Sequence, residues 1–145
     1  MTPAIMSQDS TGTASPRHIV VVDDDASFLR SMGRLLRSEG YLVSTFASGC
    51  EYLHTFSGSL PACMVLDVCM PQMTGMELHD RLTEQGMHVP AIFMTAHDTP
   101  QTRERARQPG SFGLLLKPFD KNLLFKTISE AITPQSSEEV PAPGC

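Results

Sequence analysis

Five short apolar runs punctuate this chain, and the stretches between them place their apolar residues three to four positions apart. Ile19 to Val22, Leu42 to Phe46, Cys63 to Leu66, Ala91 to Thr95 and Phe112 to Leu116 read as strands. A run with little polar alternation needs cover on both of its faces, as in a parallel sheet. Between the first two runs, Phe28, Leu29, Met32, Leu35 and Leu36 form one helical stripe, and Gly40 supplies a left-handed stop. Ser48 with Glu51 and Thr74 with Glu77 have the spacing of capping boxes. The first opens a short helix through Tyr52, Leu53 and Phe56. The second opens a helix from Met76 to about Gln85, with Leu78 and Leu82 inward and Gly86 as terminator. Pro71 cannot donate to a ladder and Gly75 is free to take a positive φ, so a loop is expected between the third strand and that helix.

Thr99 and Pro100 announce a fourth helix, but Gln101 to Gln108 offers only Ala106 to a core, so weak anchoring is expected. The last helix starts at Asp120 as cap, carries Leu124, Ile128 and Ala131 with Phe125 and Ile132 beside them, and stops at Pro134. Strands alternating with helices in this way predict an α/β fold, a doubly wound parallel sheet with right-handed crossovers. Residues 1–16 and 134–145 are rich in Ser, Thr, Pro, Gly or Glu and poor in apolar groups. They read as flexible arms around a domain at 17–133.

Composition narrows the functional classes. At 145 residues, 41% hydrophobic and 19% charged, the chain suits one globular domain. A net charge of −5 argues against a nucleic-acid face, and the one basic cluster, Arg103, Arg105 and Arg107, is interrupted by Glu104. No apolar run nears the roughly 20 residues of a membrane span, and the start lacks a secretion signal, so no membrane role and a cytoplasmic location are expected. Cys50, Cys63, Cys69 and Cys145 show neither a Cys-x-x-Cys pair nor zinc spacing, which fits reduced thiols.

Candidate chemistry lies at the strand ends. The first strand ends on Asp23, Asp24 and Asp25, the third on Asp67, the fourth on Thr95 and the fifth on Lys117. In a parallel sheet the carboxyl ends share one edge, where ligands collect. Three converging carboxylates repel one another unless a cation sits among them. Oxygen donors favour Mg²⁺, and Asp23, Asp24 and Asp67 against Mg²⁺ and Lys117 balance to neutrality, a setting ready for a phosphoryl group. Carboxylates can act as phosphoryl-accepting nucleophiles. Asp25 reads as a first-turn helix acid rather than a further ligand.

Four segments together carry a resemblance: Val21-Val22-Asp23-Asp24-Asp25, the stretch Val65 to Leu78 (Val-Leu-Asp-Val-Cys-Met-Pro-Gln-Met-Thr-Gly-Met-Glu-Leu), Phe93-Met94-Thr95-Ala96-His97, and Leu116-Lys117-Pro118-Phe119. In order and spacing the chain resembles a response regulator receiver domain of two-component signalling over about residues 17 to 133, with wording closest to the nitrogen-fixation regulators. The resemblance implies a flavodoxin-like sheet of strand order 2-1-3-4-5. It implies Asp67 as phosphoacceptor, with Asp23, Asp24 and the Cys69 backbone carbonyl holding Mg²⁺ beside it. Thr95 would hydrogen-bond the phosphoryl group and Lys117 would pair with it, ahead of a cis Pro118. A sensor histidine kinase is the implied donor, a downstream effector or output domain the implied recipient, and a phosphorylation-dependent homodimer one option. Such a domain promotes only its own phosphorylation and dephosphorylation.

Two departures bear on mechanism. The family carries an aromatic ring three residues before the lysine, where this chain has Leu114; Phe112, two residues away on the same strand face, is the candidate substitute. The polar fourth helix is the other departure, since receivers often dimerise through that surface. Cys69 and His97 lie where the family sets phosphoryl lifetime and read as rim residues gating water. His18, His54, His79 and His88 read as surface or partly buried, and the nine methionines as filler. A haloacid-dehalogenase-type phosphohydrolase would place a second Asp where Cys69 stands and would need a cap. A receiver-like module that is never phosphorylated is the alternative reading. The 12 residues after Thr133 cannot hold a helix-turn-helix, so a single-domain regulator or a receiver separated from a larger chain is expected.

Overall fold

Residues 17–133 are described by a computed structural model; the two arms, the Pro134 stop and Cys145 lie outside the described residues. Strands β1 (His18–Val22), β2 (Leu42–Phe46), β3 (Cys63–Asp67), β4 (Ala91–Thr95) and β5 (Ser111–Leu116) form one sheet in the order β2-β1-β3-β4-β5, every neighbouring pair parallel. Helices α1 (Ala26–Ser38), α2 (Gly49–Thr55), α3 (Gly75–Glu84), α4 (Pro100–Arg105) and α5 (Lys121–Ile132) fill the crossovers. This is the doubly wound parallel sheet expected from the pattern, in the flavodoxin-like order that the resemblance implies.

Alternation along the strands sends side chains into two separate cores. Ile19, Val21, Val65, Ile92, Met94 and Leu115 meet Leu29, Met32 and Leu36 of α1 and Leu124, Ile128 and Ala131 of α5. Val20, Val22, Met64, Leu66 and Phe93 meet Tyr52 of α2 and Leu78 and Leu82 of α3. The three inner strands are covered on both sides, and β3 and β4 are buried at every position. Helix α4 buries no residue, so the weak anchoring read from its polar sequence is what its surface shows.

The caps follow the sequence with three differences. Thr74 and Glu77 form the full reciprocal box of α3. Ser48 accepts from Glu51, but Glu51 reaches past the cap to the Ala47 amide at 2.7 Å. Asp25 is the cap of α1 itself, accepting the Phe28 amide at 3.1 Å, and Asp120 occupies the α5 cap position with no side-chain cap bond.

Three further corrections concern Gly75, Phe112 and His79. The positive φ between β3 and α3 belongs to Gln72 (70°), whereas Gly75 is the first residue of the helix. Gly75 is needed for closeness instead: a Cβ there would lie 2.5 Å from the Asp67 carbonyl oxygen and 3.0 Å from Leu66 Cβ. Helix α3 therefore presses directly on the end of β3. On β5, Ser111 pairs with Ala91 but Gly113 pairs with Ile92, so Phe112 is the extra residue of a bulge. It lines a cleft with His79, Val89, Pro90 and Gly110 at the amino edge of the sheet. There it cannot take the place of a ring near Thr95, because it sits at the wrong end of the strand. His79 is more buried than its reading as a surface or partly buried residue suggested, with Nε2 3.0 Å from the Val89 carbonyl and its ring edge-on to Phe93.

Candidate functional site

The parallel register brings the ends of β1 and β3 side by side, with Val22 opposite Leu66, and Asp67 across from Met94 of β4. Asp23 follows β1 and Asp67 closes β3. Both are buried, at 0% and 5% exposure, while Asp24 between Asp23 and the helix is exposed. One carboxylate oxygen from each of the three lies within 4.8 Å of the others. Residues more than forty positions apart in the chain thus form one acidic cluster.

Lys117, delivered by the end of β5, reaches into that cluster. Its Nζ is 2.6 Å from Asp23 Oδ2 and 3.6 Å from Asp67 Oδ1. Its backbone amide donates to the Thr95 carbonyl at 2.8 Å, so the β4–β5 ladder holds the loop that aims it, and the Lys117–Pro118 bond is cis. Asp23 Oδ1 accepts the Asp25 amide at 2.9 Å, and Asp67 Oδ1 accepts a longer bond from the Cys69 amide at 3.4 Å.

Electrostatics act strongly on Asp67 and Lys117. Burial and the neighbouring Asp23 push the Asp67 carboxyl up to about 6, against the opposing pull of Lys117 and the Cys69 amide. Burial acts against the charge on Lys117, but its bond to Asp23 and the field of Asp67 outweigh it, and its pKa is raised. The ammonium is therefore held charged. Three carboxylates and one ammonium leave a formal −3 + 1 = −2. Oxygen donors alone, in a cluster with two of its three acids buried and short of two positive charges, fit a hard divalent cation.

Thr95, at the end of β4, is fully buried, but its hydroxyl is committed elsewhere. It donates to the His97 carbonyl and accepts the His97 amide, both at 3.0 Å. The structure thus gathers Asp23, Asp24, Asp67 and Lys117 and leaves Thr95 turned into its own loop. Cys69 and His97 are both exposed on the loops around the cluster. Cys63 by contrast is buried within β3, and burial pushes its thiol up to about 12, which leaves it inert.

Leu114 is half-buried against the core that contains Phe93 and Leu78. With Leu116, Ala106, Arg103, Arg107 and Asp98 it lines a cleft of 330 Å³. Asp98 and Arg103 join across it in a bidentate ion pair, and the Arg103 bond holds the Asp98 carboxyl below its ordinary range. Sequence reading missed Phe28, whose ring lies under Lys117 Nζ with 4.4 Å between Nζ and the centroid. Only its place in the first turn after the acidic triplet could have drawn notice.

Comparison with known proteins bears on this geometry. The model of the response regulator receiver domain matches residues 19–129. Nodulation protein W of Bradyrhizobium diazoefficiens is 41% identical over 114 residues, 77% of this chain and 50% of that protein. Transcriptional regulatory protein GlrR of Escherichia coli is 36% identical over 117 residues, 81% of this chain and 26% of that protein. The chain thus spans from about a quarter to a little over half of the curated relatives it matches. Among solved structures, a response regulator receiver protein from Burkholderia phymatum is 42% identical with a TM-score of 0.70, covering 80% of this chain and 94% of that one. A CheY-like receiver domain protein from Methanospirillum hungatei is 26% identical with a TM-score of 0.77, covering 86% and 99%.

Proposed function

The chain belongs to the response regulator receiver family of two-component signalling, and from that premise we propose that it is a phosphorylation-dependent switch with Asp67 as phosphoacceptor. One observation carries the reading. Asp67, at the carboxyl end of a fully buried strand, lies with Asp23 and Asp24 in one cluster that the Lys117 ammonium enters.

In this reading an Asp67 carboxylate oxygen attacks the phosphorus of a kinase phosphohistidine. The O–P bond forms as the P–N bond breaks, and the leaving imidazole nitrogen keeps the electron pair and takes a proton. Asp23, Asp24, Asp67 and the Cys69 carbonyl would hold Mg²⁺, which when bound neutralises charge on the phosphoryl oxygens. Lys117 supplies a second positive charge from the β5 side, already oriented by Asp23. The Thr95 hydroxyl, bonded now to the His97 carbonyl, would exchange that acceptor for a phosphoryl oxygen and release the loop it holds. Such an exchange biases two loop arrangements against each other, and this is how a phosphoryl group can be read at a distance.

The partners in this proposal are a sensor histidine kinase and a downstream effector or output domain, in the cytoplasm, with a phosphorylation-dependent homodimer as a further possibility of the signalled state. Leu114 favours a second reading, a receiver-like interaction module independent of phosphate, since an aliphatic side chain beside an open cleft offers no ring to follow Thr95. Intact-protein mass spectrometry after incubation with acetyl phosphate and Mg²⁺ separates the two. One added phosphoryl group that requires Mg²⁺ and disappears in Asp67→Asn is expected. No adduct in the cold, together with no trapping by beryllofluoride, would leave the phosphate-independent module as the function.

A further inference from the structure

Lys117 has three N–H donors on a stem of four rotatable bonds, and its use in phosphoryl transfer depends on where the ammonium rests. Asp23 takes one donor at 2.6 Å and Asp67 lies at 3.6 Å. The Phe28 ring face covers a further side, with Nζ 4.4 Å from the centroid. An aromatic face carries the negative part of the ring quadrupole and attracts a cation within about 6 Å. It does so without accepting a strong hydrogen bond and without adding net charge. In a cluster that already holds three carboxylates, a fourth acid here would trap the lysine and deepen the repulsion. A ring holds the ammonium and leaves its donors free.

The ring is itself held. Asp25 Oδ1 accepts the Phe28 amide at 3.1 Å, while the Asp25 amide donates to Asp23 Oδ1 at 2.9 Å. The Phe28 ring also packs edge-to-face on Phe119 at 6.2 Å and 90°, two residues beyond Lys117. Lysine, carboxylate and ring thus belong to one closed set of contacts that joins the start of α1 to the β5–α5 loop.

Resting on the phosphoacceptor reading above, we propose that Phe28 is a positioning residue for Lys117, its ring completing with Asp23 and Asp67 a socket that holds the ammonium where phosphoryl charge arrives. Apart from the cation, Phe28 meets only apolar neighbours, packing on Phe119 and on the core beneath α1 beside a groove with Met32 and Leu35, contacts that leucine would serve in large part. The cation distinguishes the two roles.

The test replaces Phe28 with 4-fluoro-, 3,5-difluoro- and 3,4,5-trifluorophenylalanine, and separately makes Phe28→Leu. Fluorine drains the ring face while nearly preserving its shape. The rate of Asp67 phosphorylation is followed by intact mass with acetyl phosphate and Mg²⁺; the Asp67 O–P bond forms as the bond from phosphorus to the acetyl oxygen breaks and acetate leaves. The rate should fall with each fluorine, to about threefold to tenfold below native in the trifluoro protein. In metal-free protein, NMR should show the Lys117 ε-methylene protons shifted upfield by the ring, and returned to ordinary positions in Phe28→Leu. A flat rate across the fluorine series, or ordinary ε-methylene shifts in the native protein, overturns the proposal. If native protein takes no phosphoryl group, the phosphoacceptor reading falls, and the methylene shifts alone decide whether the socket exists.

Discussion

Asp67 is held in a state that works against its own charge. Burial and Asp23 lift its carboxyl from 3.8 to about 6, so the folded protein binds a proton that the unfolded chain releases. A raised carboxyl favours the fold below the unfolded value, and that contribution is lost as pH rises through about 6. Asp67→Asn removes the repulsion. In metal-free buffer at pH 7.5 the variant should be more stable than native by about 1–2 kcal/mol, a figure tempered by partial solvation and by Lys117. Denaturant melts at pH 7.5 and pH 3 check this, and the gap should close at the lower pH, below the unfolded carboxyl's 3.8, where both side chains are mostly neutral in the folded and unfolded chain alike. An equal gap at both would mean that charge is not its origin. Neighbouring residues divide sharply by role at this scale. Asp23 receives Lys117, Asp24 faces solvent, and Asp25 caps a helix, although the three are identical in type.

At the scale of elements, the junction of β3 with α3 sets where Asp67 points. The Thr74–Glu77 box starts the helix, and the missing side chain of Gly75 lets its first turn touch the Asp67 carbonyl. Gly75→Ala restricts the unfolded chain, a gain of about 0.4–1 kcal/mol. It also forces a Cβ to within 2.5 Å of a backbone oxygen that cannot swing aside. The clash should win, with a net destabilisation of about 1–2 kcal/mol by chemical denaturation and slower phosphorylation of Asp67. A variant as stable as native would show that the junction can open without cost. The capping box was legible because its spacing is local. The role of Gly75 was not, since the atoms it must clear, from Leu66 and Asp67, come close only once α3 folds back on β3.

For the molecule as a whole, stability is unevenly spread. β1, β3 and β4 lie between two apolar layers, whereas α4 buries nothing and is tied by exposed pairs, Arg103 with Asp98 and Arg105 with Asp80. Surface pairs of this kind contribute little. Native-state hydrogen exchange should therefore find the α4 amides exchanging fastest among the five helices, by local opening, and those of β3 and β4 slowest, near the global unfolding limit. Protection of α4 equal to that of α1 would contradict this. The order has a functional side. The weakest helix follows the loop whose Thr95–His97 bonds would have to change, so a rearrangement there disturbs little of the core.

The sequence by itself determined the five strands, their parallel arrangement and the four strand ends that meet at one edge, while their order came from the family resemblance. Apolar runs, caps and turn residues act within a few positions of one another, and a parallel sheet leaves no freedom about which edge its carboxyl ends share. What only the tertiary structure decided was how those residues spend their bonds. Thr95 turned to His97, Phe112 became a bulge at the far end of its strand, Gln72 rather than Gly75 took the positive φ, and Phe28 came to lie against Lys117. The Phe112 bulge and the Phe28 contact depend on atoms brought close by a neighbouring strand or loop, and pattern along the chain carries no record of that distance; the Thr95 and Gln72 outcomes are local backbone choices that residue type alone leaves open.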